Sequence, residues 1–379
     1  MIYFDNAATT KISDSVKEIM LKAIDDLYAN PSAIYDAAIY VKMQLEKARE
    51  EIANTMGAKK REIFFTSGGS ESDNWALRGI AEKYSKKGKH IITSKVEHKA
   101  ILRTCEHLKS IGFEITYLDV EADGSISSEK LEEKMRDDTI LVSIMLANNE
   151  VGTIMDVESL AKVAHSKGAL FHTDAVQAYG HQLINCKQMG IDLLSASGHK
   201  FHGPKGVGFL YIRDGIAIEP LIYGGAQECG IRAGTENVIG ILGMGQAAKE
   251  AYDSVVEDEK KISEMRDILI KRIKSKIPDS FLVGSEKRRS ANNVCMCLKG
   301  INAVNLVDYL GEKDICISTG SACNSKSIHI SHVLSAMGIH EDDARGTIRM
   351  SLSKYNEFKE INIFVDELQK AVAIMKQIY

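Results

Sequence analysis

Residues 140–174 read Ile-Leu-Val-Ser-Ile-Met-Leu-Ala-Asn-Asn-Glu-Val-Gly-Thr-Ile-Met-Asp-Val-Glu-Ser-Leu-Ala-Lys-Val-Ala-His-Ser-Lys-Gly-Ala-Leu-Phe-His-Thr-Asp. A short apolar run, Ile140–Met145, is followed by an amphipathic stretch, Val157–Lys167, and then by a second apolar run, Leu170–Asp174, that ends on an acid. Short apolar runs suit strands buried on both faces, and an amphipathic helix between two of them supplies the crossover that parallel neighbours need. The alternation continues outward. Ile63–Thr66, His90–Ser94 and Glu114–Leu118 precede it, Leu193–Ala196 and Gly208–Ile212 follow it, and Asp73–Lys86 is a further amphipathic stretch. The pattern predicts an α/β fold with a mostly parallel sheet covered by helices on both faces.

The C-terminal third has a different texture. Gly243–Lys274 reads as one long helix, or two with a break. The strand-like runs Asn293–Leu298 and Ile315–Ser318 and the helical runs Asn302–Leu310 and Phe358–Ile378 predict a smaller α+β domain. The chain has 379 residues, 44% of them hydrophobic and 26% charged, which is enough apolar content to bury a core. A formal net charge of −4 provides no cationic surplus of the kind that binds nucleic acid through phosphate neutralisation. No apolar run approaches the roughly 18–20 residues that span a bilayer. The N-terminus, Met1-Ile2-Tyr3-Phe4-Asp5, lacks the basic and apolar regions of a signal peptide, so a cytoplasmic protein is expected. Seven scattered cysteines, an odd number, argue against a disulfide framework.

Four stretches carry candidate chemistry. Ser195–Gly206 places Lys200 just after a strand, among small residues, where a partly desolvated amine can act as a nucleophile. A solvated lysine in a turn is the plainer alternative. Asp174 ends its strand either as the cap of a following helix or as the carboxylate partner of a cofactor's ring nitrogen. Thr66–Asn74 is a strand, a Gly/Ser turn and a helix start, which makes an anion site without the nucleotide-binding P-loop pattern. Ser318–Ser325 sets Cys323 among Gly, Ser and Ala, with nothing bulky beside it to form a core, and so suits a thiolate nucleophile. His98 follows a strand and could stack on a ring or be merely structural. Cys295 and Cys297 share one strand face, at a spacing that is not a zinc half-site. His329 and His332 make a weak metal candidate, and no metal is expected.

Together these pieces resemble the cysteine desulfurases of the NifS/IscS-like branch, within the class V aminotransferase family. The resemblance runs from Tyr3–Thr10 and Asn30-Pro31-Ser32 through Thr66–Asn74, Glu97-His98-Lys99, Asn148–Gly152, Asp174–Gln177 and Ser197–Lys200. It continues to Arg232–Asn237, Ser318–Ser325 and Ile348–Ser353. It implies the fold type I architecture. A large domain, 14–255, would carry a mostly parallel seven-stranded sheet; a small domain, 1–13 and 256–379, would carry the cysteine. It also implies pyridoxal 5′-phosphate bound covalently at Lys200, with His98 stacked on the ring. Asp174 would pair with the ring nitrogen, and Gln177 and Asn149 would lie near the phenolic oxygen or the substrate. Gly69, Ser70, Ser197 and His199 would hold the phosphate, with Thr235 reaching the phosphate of a neighbouring subunit in a homodimer. Arg349 would clamp the carboxylate of L-cysteine, and Cys323 would take the sulfur as a persulfide. The sulfur would then pass to an acceptor protein, either an iron–sulfur scaffold or a tRNA thiolation enzyme.

The alternatives are a selenocysteine lyase, another class V aminotransferase, or a non-catalytic sulfur-carrier platform, which would need none of these groups. The sequence departs from the family at Tyr35, where histidine is common, at Cys229, where arginine is usual, and at Ser70, where threonine is common. It ends at Tyr379, short of the extension with which housekeeping members grip a scaffold.

Overall fold

The computed structural model describes residues 1–320 and 330–378. The strand-like runs form one sheet of seven strands: β1 (Ile63–Thr66), β2 (His90–Ser94), β3 (Glu114–Leu118), β4 (Thr139–Ser143), β5 (Leu170–Asp174), β6 (Leu193–Ser197) and β7 (Gly208–Ile212). Their order is β1-β7-β6-β5-β4-β2-β3. The pairings from β6 across to β3 are parallel, whereas β7 runs antiparallel to both β6 and β1. Residues 198–207 hold only a short 3-10 turn, Gly198–Lys200, which is too little chain for a crossover, so β7 must return alongside β6. Reversing direction twice leaves β1 pointing the same way as β6. The C-terminal ends of β1, β2, β4, β5 and β6 therefore share one edge, where open α/β sheets bind ligands.

Helices α1 (Asp14–Asp26) and α2 (Asp36–Asn54) precede the sheet. Helices α3 (Gly69–Tyr84), α4 (Lys99–Ser110), α5 (Ser128–Lys134) and α6 (Val157–Ser166) connect successive strands from β1 to β5. Side chains close their starts: Ser127 accepts from the Lys130 amide, Asp156 from that of Ser159 and His98 from that of Ala100. No helix follows Asp174. Its side chain instead accepts from the Val176 amide at 2.9 Å, an Asx turn rather than a helix cap.

The long helical run is a single helix, α7 (Val238–Lys276), with no break. Its first half packs Ile241, Met244, Ala247 and Ala248 into the core around the large sheet; its second half packs Met265, Leu269 and Ile273 into a separate core with Val294, Met296, Ile348 and Met350. That second core lies against an antiparallel sheet in the order Ser318–Thr319, Thr347–Ser351, Asn293–Leu298, Ser280–Leu282. The expected single strand Ile315–Ser318 is divided. Ile315–Cys316 pairs in parallel with Ile2–Tyr3, while Ser318–Thr319 pairs with Thr347–Ser351, because each half meets a different open strand edge. The N-terminal arm is thereby tied into the smaller unit, and Asp5 bridges to Ser351.

Candidate active site

A cleft of about 270 Å³ opens at the shared strand edge. Gly69 and Ser70 enter it from the start of α3, and Ser197, His199 and Lys200 from the end of β6. Asp174 and Gln177 enter from the end of β5, His98 from the start of α4, Asn149 from the segment after β4, and Arg349 from the smaller sheet. Ten of the residues expected from the sequence thus converge on one cavity. Thr235 does not: it is exposed and lies outside the lining. Cys323 and His329 lie outside the described residues.

Lys200 Nζ donates to the backbone carbonyls of Ala7 at 2.6 Å and Ala8 at 2.9 Å. Burial and the nearby Arg349 guanidinium bring its pKa down from 10.5 to about 8. Arg349 Nη1 donates to the Asn149 carbonyl at 3.0 Å and Nη2 to Asp5 at 2.9 Å, while its Nε is buried with no partner among the described residues. Gln177 donates to the Ala7 carbonyl at 3.0 Å. His98 Nδ1 accepts from the Ala100 amide at 3.2 Å, so a neutral ring carries its proton on Nε2. Burial lowers the His98 pKa, and Lys200 adds to that. His199 falls to about 4, chiefly through burial, and is uncharged at neutral pH.

The donor set fits pyridoxal phosphate. The first N–H groups of α3 have no partners within the helix and would meet an anion with the helix dipole behind them. A Cβ on Gly69 would come within 2.5 Å of Val176, so the backbone there passes close beneath the cleft. Lys200 is a half-buried amine whose hydrogen-bond partners among the described residues are backbone carbonyls. Asp174 is a buried carboxyl, 6% exposed, for a ring cation.

The class-V aminotransferase family model matches residues 2–364. The chain belongs to the class-V aminotransferase family. It is 46% identical over 371 residues to a protein named cysteine desulfurase IscS from Methanosarcina thermophila, covering 98% of this chain and 92% of that one. Among solved structures, one titled NifS-like protein superposes with a TM-score of 0.93 at 38% identity, covering 98% of this chain and 99% of that chain. One titled SspA in complex with cysteine superposes with a TM-score of 0.82 at 39% identity, covering 94% and 100%. This class-V chain has the fold type I architecture, and its family depends on pyridoxal phosphate.

Sequence reasoning missed several groups in the cleft. Asp73 lines it from α3, Met145 from beyond β4, and Ala7 and Ala8 from the N-terminal arm. The signal for Asp73 was present: it stands four residues after Gly69, on the same face of the helix. The carbonyls of Ala7 and Ala8 carry no side-chain signature at all.

Proposed function

We propose that this chain is a cysteine desulfurase that takes sulfur from L-cysteine, releases L-alanine and holds the sulfur as a persulfide on Cys323. The observation that carries the reading is the meeting of a half-buried, carbonyl-held lysine, a buried carboxyl and a partly unspent arginine in one cleft. When bound, pyridoxal phosphate withdraws electrons from the substrate's α-carbon.

The chain's own groups do the rest. Lys200 would hold the cofactor covalently, and its freed amine would move the proton of the substrate's α-carbon as base and acid. Asp174 would pair with the ring nitrogen, His98 would stack on the ring, and Gln177 and Asn149 would lie near the phenolic oxygen or the substrate. Gly69, Ser70, Ser197 and His199 would hold the phosphate. Arg349 binds the substrate carboxylate through N–H donors not used on Asp5 and Asn149. Cys323 thiolate attacks the substrate sulfur, forming an S–S bond as Cβ–Sγ breaks. The bonding electrons stay with the carbon skeleton, which takes up protons and leaves as alanine.

The protein works as a cytoplasmic homodimer. Thr235 is exposed, as a residue serving a neighbour's phosphate would be in an isolated subunit. Ile24, Tyr28, Ile34, Tyr35, Tyr40 and Met43 form an exposed apolar surface on α1, α2 and their connection. No helix among the described residues is long and apolar enough to cross a membrane. The acceptor is a protein of iron–sulfur assembly or tRNA thiolation.

The test is alanine release by Cys323→Ala. With L-cysteine the variant should form neither persulfide nor alanine. With L-selenocysteine, whose weaker Cβ–Se bond lets selenium leave unaided, it should keep much of any wild-type activity. Near-normal turnover of L-cysteine would remove Cys323 from the mechanism, and a wild type active on selenocysteine alone would make the chain a lyase.

A further inference from the structure

Asp73 has no role in the chemistry above, yet it is only 1% exposed and its Oδ1 has no hydrogen-bond partner among the described residues. It stands beside Asp174: carboxylate oxygens of both residues and a ring nitrogen of His98 all lie within 4.8 Å of one another. Two buried carboxylates at this range cannot both stay ionised without strong repulsion.

Their surroundings differ. Burial raises the Asp174 pKa too, but Asp174 accepts the Val176 amide at 2.9 Å and has the Lys200 amine nearby, and both favour its ionised form. Asp73 is surrounded otherwise. On β5, His172 Nε2 stands 3.8 Å from its Oδ1, but this ring is bonded to Ser143 at 2.8 Å and to Ser195 at 3.0 Å. Burial holds the His172 pKa at about 3, so it offers no cation. From β6, the Ser195 hydroxyl gives Asp73 modest help. From the segment before α4 comes Glu97, fully buried, bonded to Ser94 at 2.6 Å and pushed up to about 8 by burial. The charges that act on Asp73 are those of two acids, Asp174 and Glu97, and with burial they drive its pKa well above the usual carboxylate range.

We propose that Asp73 is a neutral acid that positions Asp174, and that Asp174 alone carries the negative charge of the pair. A neutral Asp73 leaves one negative charge on the pair and puts a proton donor beside Asp174 in the lining of the same cleft. The inference rests on the reading of Asp174 as the ring-nitrogen partner.

Asparagine is nearly the shape of a protonated aspartic acid, so the two positions should respond oppositely to the same exchange. Asp73→Asn holoenzyme should keep kcat within about threefold and an unchanged pH dependence of cofactor absorbance, while Asp174→Asn should lose roughly 10²-fold or more. Asp73→Ala, lacking the donor, should shift that absorbance titration. Infrared spectra of wild-type holoenzyme labelled at aspartate carboxyls exclude Glu97. They should show a protonated-acid band that vanishes in Asp73→Asn and survives in Asp174→Asn. A loss in Asp73→Asn as deep as in Asp174→Asn, or no labelled protonated band, overturns the proposal. The wild-type spectrum decides even if a variant fails to fold. Wild-type turnover in Asp174→Asn would sink the ring-nitrogen reading instead, leaving the labelled band to judge Asp73.

Discussion

Replacing Arg349 tests the substrate clamp against the plainest rival, that the guanidinium merely pins the N-terminal arm. Its side chain is 10% exposed, so solvent screens its interactions weakly. Among the described groups Nη2 is spent on Asp5 and Nη1 on the Asn149 carbonyl, while Nε has no partner. An incoming carboxylate therefore finds at least one buried donor already oriented. Truncating one partner of a desolvated charge pair costs roughly 2–5 kcal/mol, or about 30- to 4,000-fold in affinity. Arg349→Ala should raise KM for L-cysteine by a factor in that range and leave cofactor content near wild type.

The control is Asp5→Asn. It removes the carboxylate that occupies Arg349 but leaves the guanidinium in place. If Arg349 is a clamp, Asp5→Asn should leave KM unchanged or lower it, because a competing anion has gone. If Arg349 only holds the arm, the two variants should lose activity together. The assay is steady-state alanine release, with the substrate-induced change in cofactor absorbance as a separate measure of binding. Matching losses in Asp5→Asn and Arg349→Ala would refute the clamp.

Four further outcomes follow from the cleft and the surface. Lys200 loses its proton near pH 8 in the folded protein rather than near 10.5, so covalent capture of added pyridoxal phosphate by cofactor-free enzyme should rise with pH and level off above about 8. Because the unfolded chain binds that proton more tightly, stability of the cofactor-free form should also gain as pH rises from about 8 to 10.5. Borohydride should fix the cofactor on the Lys200 peptide, and labelling elsewhere would contradict the assignment. Light scattering at assay concentration should give a dimer, and an active monomer would remove Thr235 from the phosphate site.

The seven strands of the large sheet were legible because strands buried on both faces must be short, apolar and punctuated, and the amphipathic stretches between many of them mark the helical crossovers. Lys200 and Asp174 were legible for the converse reason, as polar groups at the ends of apolar runs. What the sequence hid depended on partners distant in the chain. Nothing in Gly208–Ile212 says that it runs antiparallel; only the short span after Lys200 does. Nothing in Ile315–Thr319 says that its halves join different sheets. Whether the long helical run was one helix or two stayed open because its two halves bury residues in different cores, which blurs a single apolar period without interrupting the helix.

The N-terminal arm shows how two cations in one cleft can be given opposite fates. Arg349 must stay charged to bind a carboxylate; Lys200 must surrender a proton to act as nucleophile and base. The arm meets each with a different acceptor. It gives the Asp5 carboxylate to Arg349, and two residues further on it gives only the carbonyls of Ala7 and Ala8 to Lys200. A carboxylate opposite Lys200 would hold the ammonium form and raise its pKa; carbonyls orient the amine without adding a full charge. Burial and then Arg349 push the lysine toward neutrality, against the smaller opposing pull of Asp174 and Asp5. Because the arm pairs with Ile315–Cys316 and bridges to Ser351, the segment that orients Lys200 is anchored in the same unit that carries Arg349. A shift of the smaller unit against the large sheet would therefore move the clamp and the lysine's acceptors together, so the spacing between carboxylate site and proton-transfer site is set by one piece of backbone.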